Sequence, residues 1–195
     1  MTMAVRPTPQ EGTAFETAAD LRTWLAANHE AAPELWVRIY KKGSDVPSVT
    51  WTDCVVEAIA FGWIDGQKAS LDDRAYLQRL TPRRSGSSWS KKNREHADRL
   101  TSEGRMTPAG LAQVEAARGD GRWDDAYAGQ ADMAIPQDFL DALEALPEAK
   151  AFFATLDRKN LYPIYYRLHT AKRLETRAKR MQAMLDQLAR RERFH

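Results

Sequence analysis

Residues 81–93, TPRRSGSSWSKKN, put Arg83, Arg84, Lys91 and Lys92 into one short run with no acid among them. Backbone N–H groups, serine hydroxyls and guanidinium groups around a glycine are what a phosphate or carboxylate binds. The spacing predicts a helix starting near Ser88 or Ser90. A helix N-terminus carries partial positive charge and unpaired N–H groups, so acids suit it. Lys91 and Lys92 stand there instead. The run reads either as solvated surface or as a seat for an anion made by Arg83, Arg84, Ser87, Ser88 and Lys91. It is not a Walker loop, because no Gly-x-x-x-x-Gly-Lys-Ser/Thr pattern occurs.

A second basic cluster lies near the C-terminus. From Asp157 onward there are eleven Lys/Arg against four Asp/Glu, a net +7, which leaves −5 on the remainder of a chain whose total is +2. Arg173, Arg177 and Arg180 fall at i, i+4 and i+7, in one strip of a helix. Two basic clusters in a nearly neutral chain raise the expectation of an anionic partner. The reading that follows is a small phosphate-containing or other anionic ligand held between the loop and Lys172, Arg173 and Arg177. Trp63 and Trp89 flank the loop region and read either as core or as a stacking wall. Asp65 shares a strand face with Trp63 and would orient a cation.

The same C-terminal helix carries Ala171, Leu174, Ala178, Met181, Leu185 and Leu188 as one apolar stripe. It packs on its own body or serves as a seam for a protein partner or self-association. Catalysis finds little support. There is no Gly-x-Ser-x-Gly elbow, no His-Glu-x-x-His and no dinucleotide glycine pattern, and the four histidines lack ligand spacing. Cys54, the single cysteine, sits in a helix on an apolar face and reads as inert. No cofactor and no metal are implied, and the reading leans away from an enzyme. Two alternatives stand beside it. One is nucleic-acid binding, against which the net charge of +2 weighs. The other is an enzyme on a phosphorylated or nucleotide substrate, with Asp65 or Asp72 as base or metal ligand.

The elements that must position these residues are legible. Thr17 and Asp20, then Thr50 and Asp53, have capping-box spacing before apolar faces. LWVRIYKK (35–42) reads as a strand, and WIDGQKAS (63–70) with AYLQRLT (75–81) as a hairpin. Thr107-Pro108 starts a helix that ends before GDGR at 119–122. From Pro136 the pattern is helical only. The expectation is an α+β protein: a tail over 1–14, a small α+β domain with a short antiparallel sheet over 15–130, and an all-helical segment over 131–195. Hydrophobic residues at 43% suit a packed core. No apolar run is long enough to span a bilayer, and the first residues lack a signal-type apolar region, so the sequence predicts a cytoplasmic location.

FGWIDG (61–66), TPRRSGSSWSKKN (81–93), EGRMTPAG (103–110), GRWDDAY (121–127) and AKRLETRAKR (171–180), in this order, resemble the YdeI/OmpD-associated family of small bacterial proteins. The resemblance covers roughly residues 15 to 190. It implies a bacteriocin-protection or stress-resistance protein with a C-terminal helical module of its own, and no catalytic mechanism. It also implies likeness to an α+β domain of proposed iron chaperones, but Asp65, Asp72 and Asp73 have no histidine near them. The family pattern often has Cys where Ala60 stands here, so no thiol chemistry is implied at that position.

Overall fold

The computed structural model describes residues 11–194 and groups the chain into two compact units. The first runs to Ser87 and resumes over Asn93–Asp124; the second takes Ser88–Lys92 and the chain from Asp125 on. The expected tail at residues 1–10 lies outside the described residues. Residues 13–14 depart from it by forming a short strand.

In the first unit, β1 (Thr13–Ala14), β2 (Leu35–Tyr40), β3 (Trp63–Ser70) and β4 (Ala75–Pro82) make a sheet of order β1-β2-β4-β3. β1 runs parallel to β2; the other pairings are antiparallel. Leu35, Val37 and Ile39 face across to Leu80, Gln78 and Tyr76, so these six side chains share one face. Asp65 pairs with Leu80, and after a bulge Lys68 pairs with Gln78. Three residues apart on a regular strand they would point to opposite faces; the bulge puts both on the face of Tyr76.

Helix α1 (Ala18–Asn28) buries Leu21 and Leu25, and α2 (Trp51–Ala60) buries everything from Cys54 onward. Both capping boxes form: Thr17 with Asp20, and Thr50 with Asp53. Helix α2 packs on α1, on the β3–β4 hairpin and on α4 (Pro108–Gly119). The α2–α4 contact is a backbone contact. The Thr107 N–H and hydroxyl, at the N-terminus of α4, both donate to the Ala60 carbonyl, at 3.0 and 2.7 Å. The positive end of one helix meets the negative end of the other. A Cβ built on Gly110 would lie 2.4 Å from that same carbonyl oxygen, so only glycine lets the helices approach this far.

Helix α3 (Lys91–Ser102) follows the basic loop, starting directly after Ser90, the later of the two expected starts, and buries Ala97 and Leu100. The second unit consists of α5 (Gln137–Glu144), α6 (Pro147–Phe153), α7 (Arg158–His169) and α8 (Leu174–Ala189). Its core is Phe139, Leu143, Ala149, Ile164, Leu168, Met184, Leu185 and Leu188. The expected stripe of α8 holds only in its second half. Leu174 is 86% exposed and Ala178 is exposed, while Met181 is partly buried. Arg177 and Arg180 take the inward positions in the first half. Among the described residues no helix is long and apolar enough to cross a membrane.

Candidate functional site

The residues expected to form one ligand seat are divided between the units. Trp63, Asp65, Arg83, Arg84 and Ser87 belong to the first; Ser88, Trp89, Lys91, Lys172, Arg173 and Arg177 belong to the second.

In the first unit, Trp63 is 1% exposed; its indole N–H donates to the His29 carbonyl at 3.1 Å and its ring meets Trp24 edge-on. Arg83 is buried, and its N–H donates to the Gly62 carbonyl at 3.0 Å. The Arg84 N–H donates to the Ser87 hydroxyl at 3.1 Å, closing the turn around Gly86. The Ser87 carbonyl accepts from Arg122 at 2.9 Å. Only the Arg84 side chain of this group stands in solvent. Among the described residues Asp65 pairs with no Lys or Arg; its carboxylate accepts from the Trp51 indole at 3.2 Å. Asp72 caps its turn: its Oδ1 takes the N–H groups of Arg74 and Ala75, both at 2.7 Å. Those two bonds hold its carboxyl below the usual range.

The second unit gathers a cationic cluster. Segment Ser88–Lys92 lies against Tyr127: the Tyr127 N–H donates to the Trp89 carbonyl at 3.0 Å, and the Lys91 N–H donates to the Tyr127 carbonyl at 2.8 Å. Trp89 is 1% exposed, a core residue and not a stacking wall. The Tyr127 ring meets Tyr166 edge-on at 5.0 Å, and Tyr166 stacks on Tyr162 at 6.0 Å. Three residues past Tyr166, His169 places Nε2 2.9 Å from the Asp125 carbonyl. Lys172 pairs with the Asp125 carboxylate, which also stands 3.7 Å from His169. The Lys91 side chain is exposed and has no carboxylate partner among the described residues; nor has Arg173.

Arg177 and Arg180 are structural. Arg177 Nη2 donates to both Asp138 carboxylate oxygens at 2.7 Å, its Nε donates to Oδ2 at 3.2 Å, and its Nη1 donates to the Leu168 carbonyl at 2.9 Å. Arg180 donates to the Arg167 carbonyl at 2.7 Å and to the Thr170 hydroxyl at 3.3 Å. Both carbonyls belong to the last turn of α7, where intrahelical donors run out. Two guanidinium groups thus close the negative end of α7.

His169 is pushed below the ordinary imidazole value by burial first, then by the charges of Lys91 and Arg177. Asp125, which would pull the other way, is shared with Lys172. The folded chain therefore disfavours the imidazolium. Above about pH 6.5 both folded and unfolded imidazoles are neutral and the group is silent. Below it the unfolded chain takes up a proton that the folded one resists, so stability is lost as pH falls. Urea unfolding at pH 7.5 and 5.5 should show a smaller loss in His169→Gln than in the wild type. Equal losses would place the acid sensitivity elsewhere.

Asp125, His169, Tyr127 and Tyr166 are absent from the sequence-level site. Their signal is the spacing of Tyr162, Tyr165, Tyr166 and His169 along one helix, which puts polar aromatics on a single side. Among the described residues no group of three or more His, Cys, Asp or Glu could hold a metal ion.

No curated protein and no solved structure gives a match to the chain. Two family models do. Residues 13–113 match a domain of unknown function (DUF8412), and residues 132–191 match the model described as bacteriocin-protection, YdeI or OmpD-associated. The second lies wholly within the helical unit. The chain belongs to the DUF8412 family through its sheet-bearing part and carries a bacteriocin-protection, YdeI or OmpD-associated domain in its helical part.

Proposed function

We propose that the helical unit binds an anionic, phosphate-bearing ligand at Lys91 and Lys172 beside His169, and that a bacteriocin-protection-related role runs through this binding. The C-terminal family match supports the protection role. The observation that carries the binding reading is the convergence of Lys91 and Arg177 on His169, with Lys91 lacking any carboxylate partner among the described residues. An anion there would compete with Asp125 for Lys172 and recruit Lys91. It would also favour the imidazolium of His169, adding a third donor group.

Thermal shifts against inorganic phosphate, nucleotides and acidic metabolites test this directly, because a bound ligand stabilises by mass action. The wild type should gain melting temperature and Lys91→Ala/Lys172→Ala should not. Equal shifts in both proteins would remove the site. A second reading, nucleic-acid binding, is favoured by Tyr166, 37% exposed and stacked on Tyr162 beside the cations. Retention of single-stranded DNA or RNA that falls steeply with salt would favour it over a small ligand.

A further inference from the structure

The first unit holds a separate concavity of about 480 Å³, lined by Trp51, Asp65, Gly66, Lys68, Tyr76 and Gln78. Three features set its chemistry. Trp51, at the first position of α2, is 48% exposed, although it is a residue type that usually buries its ring. Its one polar contact is the indole N–H to Asp65 Oδ2 at 3.2 Å, and its ring faces have no aromatic or cationic partner among the described residues. Asp65 has no Lys or Arg partner among the described residues, so its carboxylate is oriented by the indole and left without a counter-ion. Lys68 lines the same concavity, yet its ammonium lies over the Tyr76 ring at 4.0 Å rather than on Asp65.

The arrangement is built by the strand bulge, which brings Asp65 and Lys68 to one face, and by the capping box, which fixes the start of α2 above it. Gln78 beneath is 2% exposed and spends its amide on the Gly66 and Arg79 carbonyls, so the floor is rigid. Cys54, one helical turn past Trp51, offers no chemistry: burial, then Asp53 and Asp65, push its thiol up to about 12.

We propose that this concavity binds an organic cation, a primary ammonium or a guanidinium on a flexible chain. The Asp65 carboxylate serves as its counter-ion and the open face of Trp51 as its cation–π wall. Lys68, held on Tyr76, limits the affinity by like-charge repulsion. The site is independent of the anion cluster on the helical unit.

The test is a titration of the full chain with cadaverine, agmatine and N-acetyl-arginine amide, followed by the Trp51 indole resonance in a ¹⁵N spectrum assigned with Trp51→Phe. The expected result is a saturable shift in the wild type. Asp65→Asn should weaken binding by about tenfold, and Lys68→Gln should tighten it by about two- to fivefold. Weaker binding in Asp65→Asn together with tighter binding in Lys68→Gln is the pattern of a cationic ligand. No Trp51 shift with any of the three probes overturns the proposal, as does unchanged binding in Asp65→Asn with a native spectrum. Weaker binding in Lys68→Gln would make the ligand an anion and overturn it equally. Binding of the two free amines without the acetylated arginine assigns the pocket to small polycations. Binding of all three assigns it to side chains presented on a peptide.

Discussion

Arg22→Met combined with Arg105→Met should destabilise the sheet-bearing unit by about 3–5 kcal/mol, the cost of leaving a buried charge without partners. Glu57, on α2, is 2% exposed. Arg22 Nη1 reaches one carboxylate oxygen at 2.8 Å, and Arg105 Nη2 reaches the other at 2.5 Å. Arg22 also donates to the Arg105 carbonyl at 2.8 Å and lies over the Phe61 ring. α1, α2 and the loop before α4 are thereby tied at one carboxylate. The asymmetry between the partners decides the size of the effect. The arginines are 32% and 40% exposed, so they can turn to water when Glu57 is removed. Glu57 cannot. Glu57→Met should therefore cost only about 1–2 kcal/mol, since an apolar side chain of similar size fills the site. Urea unfolding of the three proteins gives the comparison. If Glu57→Met costs as much as the double arginine variant, packing rather than stranded charge governs the site.

Gly110→Ala should cost about 3 kcal/mol and lower the melting temperature by roughly 10 °C. The added methyl would stand 2.4 Å from the Ala60 carbonyl oxygen and 2.9 Å from that of Ile59. Those atoms are backbone at the end of α2, and the Ala60 oxygen already accepts two bonds from Thr107. No side chain can swing aside, so the helices must separate and the Thr107 bonds must stretch. Gly119→Ala is the control. Nothing lies within 4 Å of its added methyl, and helix propensity favours alanine by up to about 1 kcal/mol. Calorimetry that finds both substitutions neutral would show that the α2–α4 approach is not a close one.

Local signals gave most of the elements. Thr17/Asp20, Thr50/Asp53 and Thr107-Pro108 each mark a helix start, because a capping hydroxyl acts on N–H groups three residues away. The hairpin was equally legible, and its bulge was not: a one-residue slip changes no residue type in WIDGQKAS. The allegiance of Ser88–Lys92 to the helical unit rests on backbone bonds to Tyr127, thirty-odd residues away, which leave no trace in side-chain pattern. The α8 stripe misled over Leu174 and Ala178 because periodicity reports which side is apolar, not where along its length a helix has neighbours. Trp51 carries no motif that singles it out in the sequence. Its position directly after an N-cap, at an exposed helix start, was the available hint.

The capping of α7 by Arg177 and Arg180 bears on how AKRLETRAKR would behave against a polyanion. Five cations stand in that segment, Lys172, Arg173, Arg177, Lys179 and Arg180. Lys172 and Arg177 already have carboxylate partners in Asp125 and Asp138. Ion-paired groups neutralise no phosphate, and so release no counterion from a nucleic acid, without first breaking an ion pair. A nucleic acid laid along α8 would meet three open charges rather than five. The salt slope of its binding constant would then be near about −2.7 instead of about −4.5, and the segment would act as a weak electrolyte binder despite its composition.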